Sequence, residues 1–586
     1  MHVARWPGKS NLNGQPHPAL WHMLDVGAVA ARLMARRGLT GDPALDQACC
    51  ALVALHDIGK VSASFAAMLG GAAPKTRHWR LSYYHMAFPL REMLDDRLGL
   101  DEASRRQLVA AVSGHHGAPP EVLTGRASRE LKAEIGAEAE ADATVFAQHI
   151  LDLFPTARLD GLTDEHANSL SFSLAGFTTQ CDWIGSNTDW FEPQPATIAL
   201  PDYWQAALDR ADRAITAAHL DASRPDPTAA RHILPVATLR PMQHAVGLAD
   251  LPDGPIMALI EDATGAGKTE ASLILAARMM AAGKAGGLFF ALPTMATSNA
   301  MFDRLLPMAA RLFSGKPSLA LTHGRAFGHK RFQSIIGRES ASLDEPTCGE
   351  WLADDRRRIL LAEIGIGTID QALMAVLPTK FSTLRLHALS RRVLVVDEAH
   401  SYDPYMRAQL ERLVWFQALL GGSAIIMTAT LLLELRDALI AAFRKGLGLA
   451  ERPIESLAYP ALTLVGQRIQ TQAVAPVPAS VRRVAVQRLQ TADAAADVIV
   501  QAARQHAACI WIRNAVDDAI AAVEMLRGRG VDADLLHARF ALCDRLAHEL
   551  AAVSRFGAKG QDRAGKVLVA TQVAEQSLDL DFDVMV

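Results

Sequence analysis

The chain has 586 residues, 50% of them apolar and 21% charged, with a formal net charge of -4. That length calls for about two to four domains, and the charge excludes a globally basic nucleic-acid binder, so any such contact must come from local positive grooves. The six cysteines form no C-x-x-C pair, the amino terminus has no apolar leader, and no uncharged apolar run reaches the roughly 18 residues of a membrane helix; a cytoplasmic enzyme with reduced thiols is expected.

Residues 1–215 read as helical, with apolar periods over Leu20 to Met34 and Leu45 to Leu55. His56-Asp57 follows the second of these and precedes Gly59-Lys60. Adjacent imidazole and carboxylate can converge on metal, the carboxylate bridging two ions while the ring binds one. Lys60, one helical turn after His56, can meet a phosphate oxygen. The other candidate ligands are His22, His85, the pair His115-His116 bracketed by Gly114 and Gly117, and Asp182. Singly, each histidine is most simply a core or surface imidazole; the ordered set H…HD…H…HH…D is far more specific. Mixed N/O ligation favours Mn, Fe, Co, Ni or Zn over Mg. Two such ions activate water and clamp both oxygens of an in-line phosphodiester displacement. The charged stretch Arg126 to Asp142 reads as a solvated helix face.

A polar segment around Asp221 to Pro227 marks a linker, assigned to 216–235. From 236 to 472 short β-rich runs alternate with helices (Gly287 to Leu292, Arg392 to Val396, Ser423 to Met427), which implies a helix-wound parallel sheet. Ala263-Thr264-Gly265-Ala266-Gly267-Lys268-Thr269 is a phosphate-binding loop: its glycines let backbone N–H groups approach a triphosphate, Lys268 reaches the β/γ-phosphates and the Thr269 hydroxyl sits on Mg²⁺. Asp262 stands where the loop's usual first glycine would be. The buried strand Val393 to Val396 delivers Asp397-Glu398-Ala399-His400, with Asp397 on Mg²⁺ through water and Glu398 orienting the attacking water. Upstream, Gln243 can read an adenine edge. Leu292-Pro293-Thr294, His323-Gly324-Arg325 and Thr368-Ile369-Asp370-Gln371 can hold the phosphates of a single strand, and Thr428-Ala429-Thr430 can link nucleotide state to that grip. A break at Ala475 to Pro478 opens a further α/β region, 473–586, with strands over Val481 to Leu489, Ala508 to Ile512, Ala533 to Leu536 and Val567 to Ala570. There Leu536-His537-Ala538-Arg539-Phe540 and Ala570 to Asp579 repeat a superfamily 2 helicase layout in order.

A helical H…HD…H…HH…D domain upstream of a superfamily 2 helicase core resembles the signature helicase–nuclease of type I CRISPR systems, with closest likeness to subtype E. Trp6-Pro7-Gly8-Lys9-Ser10, Ala54 to Lys60, Gly114 to Gly117, Asp182 to Ser186, Thr368 to Gln371, Leu377 to Lys380 and Val396 to Asp403 carry the resemblance over essentially the whole chain. It implies an all-α HD-type metal-dependent nuclease domain followed by two RecA-like α/β parallel-sheet domains. It also implies a monomeric single-stranded DNA nuclease and ATP-driven 3′-to-5′ translocase, recruited to the R-loop by the RNA-guided surveillance complex, Cascade. The family's late Q-x-x-G-R-x-x-R arginines are not found, so the second sheet domain is expected to be incomplete, with impaired ATP turnover. Two further readings remain open: an HD nucleotide phosphohydrolase fused to an unrelated helicase, and a motor-dead binding module.

Overall fold

The computed structural model describes all residues except 1–2, 10–16, 74, 124, 235, 237, 338–345, 430–431, 453, 455, 479–482, 558–559, 561 and 575–579. The helical region is built on α1 (Ala19–Arg36), α2 (Pro43–Ala54), α3 (His78–Ala87), α4 (Glu102–Ser113), α5 (Asp164–Gly185) and α6 (Leu200–Ala217). Local chemistry sets their ends. Asp42 caps α2 by accepting from the N–H groups of Ala44 and Leu45, with Pro43 pre-shaped for the first turn. Thr163 caps α5 through the His166 N–H. α1 is buried on nearly every side, including His22 and Asp25, because α2, α5 and α6 all pack against it. The charged stretch 126–142 forms two helices, Gly125–Ile135 and Ala137–Asp152, broken at Gly136 (φ +84).

The α/β region holds strands β1 (Met257–Glu261), β2 (Leu288–Leu292), β3 (Leu319–Thr322), β4 (Ile364–Thr368), β5 (Val393–Val396), β6 (Ser423–Thr428), β7 (Ala461–Val465) and β8 (Ile469–Ala473). They lie in the order β8-β7-β1-β6-β5-β2-β4-β3. β1, β6, β5 and β2 pair in parallel, whereas β7 runs antiparallel to β1. Each of the parallel strands is buried along its length, as expected of a sheet covered by helices on both faces.

Helical region and first sheet form one compact unit, Met1–Ala291 with Phe302–Val477. The segment expected as a linker is tied down within it: Arg224 and Pro225 pair antiparallel with Ser314 and Phe313. A second unit comprises Leu292–Met301 and Pro478–Val586. Its strands β9 (Cys509–Ile512), β10 (Ala533–Leu536), β11 (Val567–Ala570) and β12 (Val584–Met585) lie in the order β10-β11-β9-β12, all parallel. The strand expected over Val481 to Leu489 is not found in its described part. Residues 483–489 are unpaired, with Val484 and Val486 78% and 92% exposed; an alternating pattern becomes a strand only where a neighbour takes its N–H and C=O groups. Among the described residues no single helix is long and apolar enough to cross a membrane.

One close approach fixes the geometry around His56-Asp57. A Cβ on Gly59 would fall 2.2 Å from the His78 carbonyl oxygen and 2.3 Å from the Ser82 nitrogen, and the Gly59 N–H donates to Ser82 Oγ at 3.0 Å. Gly59→Ala is therefore expected to push α3 away from this turn and cost about 1–3 kcal/mol, read as a fall in melting temperature of the 586-residue chain. An unchanged melting temperature would show that α3 can shift freely.

Candidate metal and nucleotide sites

Two histidines are presented by the same device. His56 follows α2 and His115 follows α4, where the last helical carbonyls lack intrahelical partners. His56 Nδ1 lies 2.8 Å from the Val53 carbonyl and His115 Nδ1 lies 2.9 Å from that of Val112. Each ring thus donates from Nδ1 and turns Nε2 inward, the orientation a metal ligand requires. The Nε2 atoms of both rings and Oδ1 of Asp57 are buried without hydrogen-bond partners. Buried polar atoms left bare in this way are costly unless another group takes them up.

Asp57 divides its two oxygens. Oδ2 lies 3.1 Å from His22 Nε2, 3.4 Å from His56 Nε2 and 2.6 Å from Lys60 Nζ. Oδ1 lies 3.3 Å from His78 Nε2 and 3.4 Å from His115 Nε2. Asp182 Oδ1 completes the first group, 3.7 Å from His22 Nε2 and 3.6 Å from His56 Nε2, and accepts from Ser186 Oγ at 2.8 Å. His116 Nε2 completes the second, 3.0 Å from His78 Nε2. Within each group, His22-His56-Asp57-Asp182 and His78-His115-His116, the ligand atoms all lie within 4.8 Å of one another. The arrangement fits two divalent cations bridged by one carboxylate.

The electrostatics agree with that fit. Burial works against the charge of Asp57, but Lys60, His56 and His78 hold its carboxyl well below the usual range. Burial likewise opposes the charge of Asp182, yet its contact with His56, 3.6 Å away, and the charge of His115 keep it low. Burial holds His22 well below the usual imidazole value and takes His115 down to about 3. His56, although buried, is raised to about 9 by Asp57 and Asp182: the two carboxylates call for a cation between them.

The structure gathers His22, His56, Asp57, Lys60, His115, His116 and Asp182 as the sequence suggested, but His78 stands where His85 was expected. Both lie on α3; seven residues at 1.5 Å each separate them by about 10 Å along the axis. His85 is fully buried, and burial lowers it to about 4, a neutral core imidazole.

In the same unit, β1 runs into the loop 262–267 and then helix α7 (Lys268–Ala281). Gly265 and Gly267 take φ of +75 and +91, open to glycine without strain. Lys268 Nζ donates to the carbonyls of Asp262 (3.0 Å) and Ala263 (3.2 Å). Thr264 lies in this loop, and Thr269 is the second residue of α7, its carbonyl accepting from Ser272 Oγ at 2.8 Å. Asp262 is accommodated by turning inward: it is wholly buried and its Oδ1 accepts the Ala263 N–H at 2.8 Å. Gln243 braces the loop, with Oε1 accepting from the Arg240 N–H at 3.0 Å and Nε2 donating to the Gly267 carbonyl at 3.4 Å. Because β1, β6 and β5 are neighbours, the loop, Thr428 and Asp397-Glu398 meet at one sheet edge. His400 Nδ1 lies 3.0 Å from Thr428 Oγ1 and 3.2 Å from Glu398 Oε2. Tyr402 Oη donates to the Asp397 carbonyl at 2.9 Å. Burial first, then the Glu398 charge, raises Asp397 to about 6. Thr430 lies outside the described residues.

Of the remaining motifs, Leu292 to Thr294 belongs to the second unit, where Thr294 Oγ1 pairs with Thr297 Oγ1 at 3.0 Å. His323 to Arg325 follows β3, and Thr368 to Gln371 runs from the last residue of β4 into the short helix Ile369–Leu373. In the second unit the His537 ring stacks on Phe540 at 4.1 Å. Thr571 N–H donates to the Leu536 carbonyl at 3.1 Å; residues 575–579 of that motif are outside the described set.

Fold and sites together define a metal-dependent phosphohydrolase joined to a nucleotide-driven motor. A family model described as "Cas3, HD domain" matches residues 6–191, and one described as "CRISPR-associated nuclease/helicase Cas3, C-terminal" matches 505–586. The chain is 32% identical to the CRISPR-associated endonuclease/helicase Cas3 of Escherichia coli over 97% of its own length and 70% of that protein. The corresponding Thermus thermophilus protein is 31% identical, over 98% and 70%. The crystal structure of T. fusca Cas3 superposes on all of this chain and 71% of that one, with TM-score 0.86 and 26% identity. The chain belongs to the CRISPR-associated endonuclease/helicase Cas3 family.

Two substitutions on one helix separate ligand from core. His78→Ala is expected to lower Mn²⁺ affinity by about 10-fold or more with little change in melting temperature. His85→Ala should do the reverse, leaving a cavity but not touching the ligand groups. Isothermal titration and thermal melting of both variants check this; equal loss of metal in the His85 variant would return that residue to the site.

Proposed function

We propose that this chain cuts single-stranded DNA at the HD site with two divalent transition metals, Mn, Fe, Co or Ni, and moves along that strand 3′-to-5′ on ATP with Mg²⁺. We further propose that the RNA-guided surveillance complex, Cascade, delivers the strand from its R-loop during type I CRISPR interference. The observation that carries this is the divided Asp57 carboxylate, one oxygen to each ligand group, in the same compact unit as the phosphate-binding loop.

His22, His56, Asp57 and Asp182 would hold one ion, and His78, His115, His116 and the second Asp57 oxygen the other. Bound there, the pair supplies Lewis-acid activation of water and of the scissile phosphate. Asp57 keeps the two sites at a fixed separation. Lys60, 2.6 Å from Asp57 Oδ2 and mostly buried, places a positive charge at the rim for a non-bridging phosphate oxygen. At the motor site, Lys268 would exchange its two carbonyl partners for the β/γ-phosphates. Asp397 would hold Mg²⁺, and Glu398, aligned by His400, would orient the attacking water. The His400 link to Thr428 ties that water-positioning group to the adjacent strand end.

The two chemistries are expected to separate. Asp57→Ala should abolish cleavage of a single-stranded oligonucleotide by about 10³-fold or more while leaving nucleotide affinity intact, because removing the bridge leaves two cations unneutralised. Lys268→Ala should weaken ATP binding sharply and spare cleavage of a strand that is already single. A deoxynucleotide-turnover assay run beside the oligonucleotide assay distinguishes phosphohydrolase from nuclease chemistry. Undiminished cutting by the Asp57 variant would overturn the metal assignment, and loss of single-strand cutting with Lys268 would overturn the modular one.

A further inference from the structure

The first α/β domain meets the turn beside the metal ligands at Phe381. Phe381 has φ +65, a left-handed conformation that a bulky side chain adopts only where its surroundings impose it. Those surroundings are two separate ends of the ligand cluster. Its N–H donates to the Gly117 carbonyl at 3.3 Å, and Gly117 directly follows His115-His116. A Cβ on Gly117 would stand 3.0 Å from the Phe381 nitrogen and 3.1 Å from its ring, so the contact is close on both backbone and side chain. On its other side the Phe381 ring lies 5.2 Å from that of Trp183, the neighbour of Asp182. The Arg357 guanidinium covers both rings, 4.6 Å from the centroid of Phe381 and 5.0 Å from that of Trp183, and is itself aimed by Asp355, whose Oδ1 accepts from Arg357 Nε at 2.9 Å.

From Phe381 the chain enters helix α8 (Ser382–Ser390), which lies along α5, the helix that carries Asp182. The approach is so close that a Cβ on Gly176 would meet the Thr383 carbonyl oxygen at 2.4 Å. His387 Nε2 and Gln180 Oε1 are 3.2 Å apart. Phe381 is thus anchored behind by a helix packed on α5 and presses forward on the chain neighbours of ligands in both groups, Gly117 beside His116 and Trp183 beside Asp182.

We infer that Phe381 is a positioning residue of the nuclease site: held in a strained backbone conformation by the motor domain, it fixes the His115-His116 turn and the Asp182 helix end at the mutual spacing that two ions require. Metal affinity depends on how well the ligands are held before the ion arrives, so the motor domain completes the metal centre without contributing a ligand. The inference rests on the metal-site reading above.

The test uses the full chain and its Phe381→Gly, Phe381→Leu and Phe381→Tyr variants. Glycine adopts this φ freely, so Phe381→Gly keeps the turn and deletes only the ring. Its Mn²⁺ affinity, measured by isothermal titration, should fall roughly 10-fold or more, while affinity for a fluorescent ATP analogue holds and the melting temperature changes little. Cleavage at saturating Mn²⁺ should recover, and Phe381→Tyr should restore the parent affinity. Mn²⁺ affinity equal to the parent's in Phe381→Gly overturns the inference. Should that variant lose nucleotide binding as well, Phe381→Leu is judged by the same comparison, and parental Mn²⁺ affinity there overturns it equally. A parent chain that binds no Mn²⁺ would sink the metal reading itself, a distinguishable failure.

Discussion

A carboxylate that is 1% exposed must be surrounded by partners or it will not stay charged. Asp57 meets that demand with His22, His56, His78, His115 and Lys60, and these come from α1, the end of α2, α3, the end of α4 and the turn between. The helical domain is arranged so that these elements converge on one buried anion. The constraint reaches outward: α3 can deliver His78 only because Gly59 lacks a side chain, and Asp182 is aimed by Ser186 one turn later on the same helix end. A metal pair held there would take up imidazole and carboxylate atoms that the fold already gathers, within each ligand group, to 4.8 Å or less of one another.

The two sites solve a shared problem by different means. Both must hold negative charge out of water near a phosphate. The helical domain does so by spending helix carboxyl ends on Nδ1 of His56 and His115, which points Nε2 inward. The α/β domain instead uses a strand end: burial and Glu398 raise Asp397 to about 6, a carboxylate suited to a hydrated cation.

Much of this was legible in the sequence because the motifs fall where period and polarity change: His56-Asp57 and His115-His116 at helix ends flanked by glycine, Asp397 after four buried aliphatics. Position along one helix face was not legible. His78 and His85 stand seven residues apart, two turns along one face of α3, so periodicity cannot choose between them; the choice depends on which end of α3 meets the Gly59 turn, a tertiary fact. The segment 483–489 failed for a related reason, since alternation specifies a face and not a partner. Phe381 carries no sequence signal at all. Its role arises from a backbone angle and from two neighbours, Gly117 and Trp183, that are distant in the chain.

The junction that seats Phe381 is built in a way that resists drift. Arg37 pairs with Glu363 at 3.2 Å and donates to the Ser223 carbonyl. Arg391 donates across the junction to the carbonyls of Gly38 and Arg37, and within the α/β domain Arg392 donates to those of Ala362 and Leu361. Guanidinium groups that address backbone carbonyls in a fixed fork demand one relative placement of the elements they join. Arg392 then opens directly into β5, whose end is Asp397. The helix α8 that carries Phe381 at one end and leads to β5 at the other is therefore gripped along its length by the nuclease domain. The helix that packs on the Asp182 helix thus leads, within two residues, into the strand that ends beside Asp397.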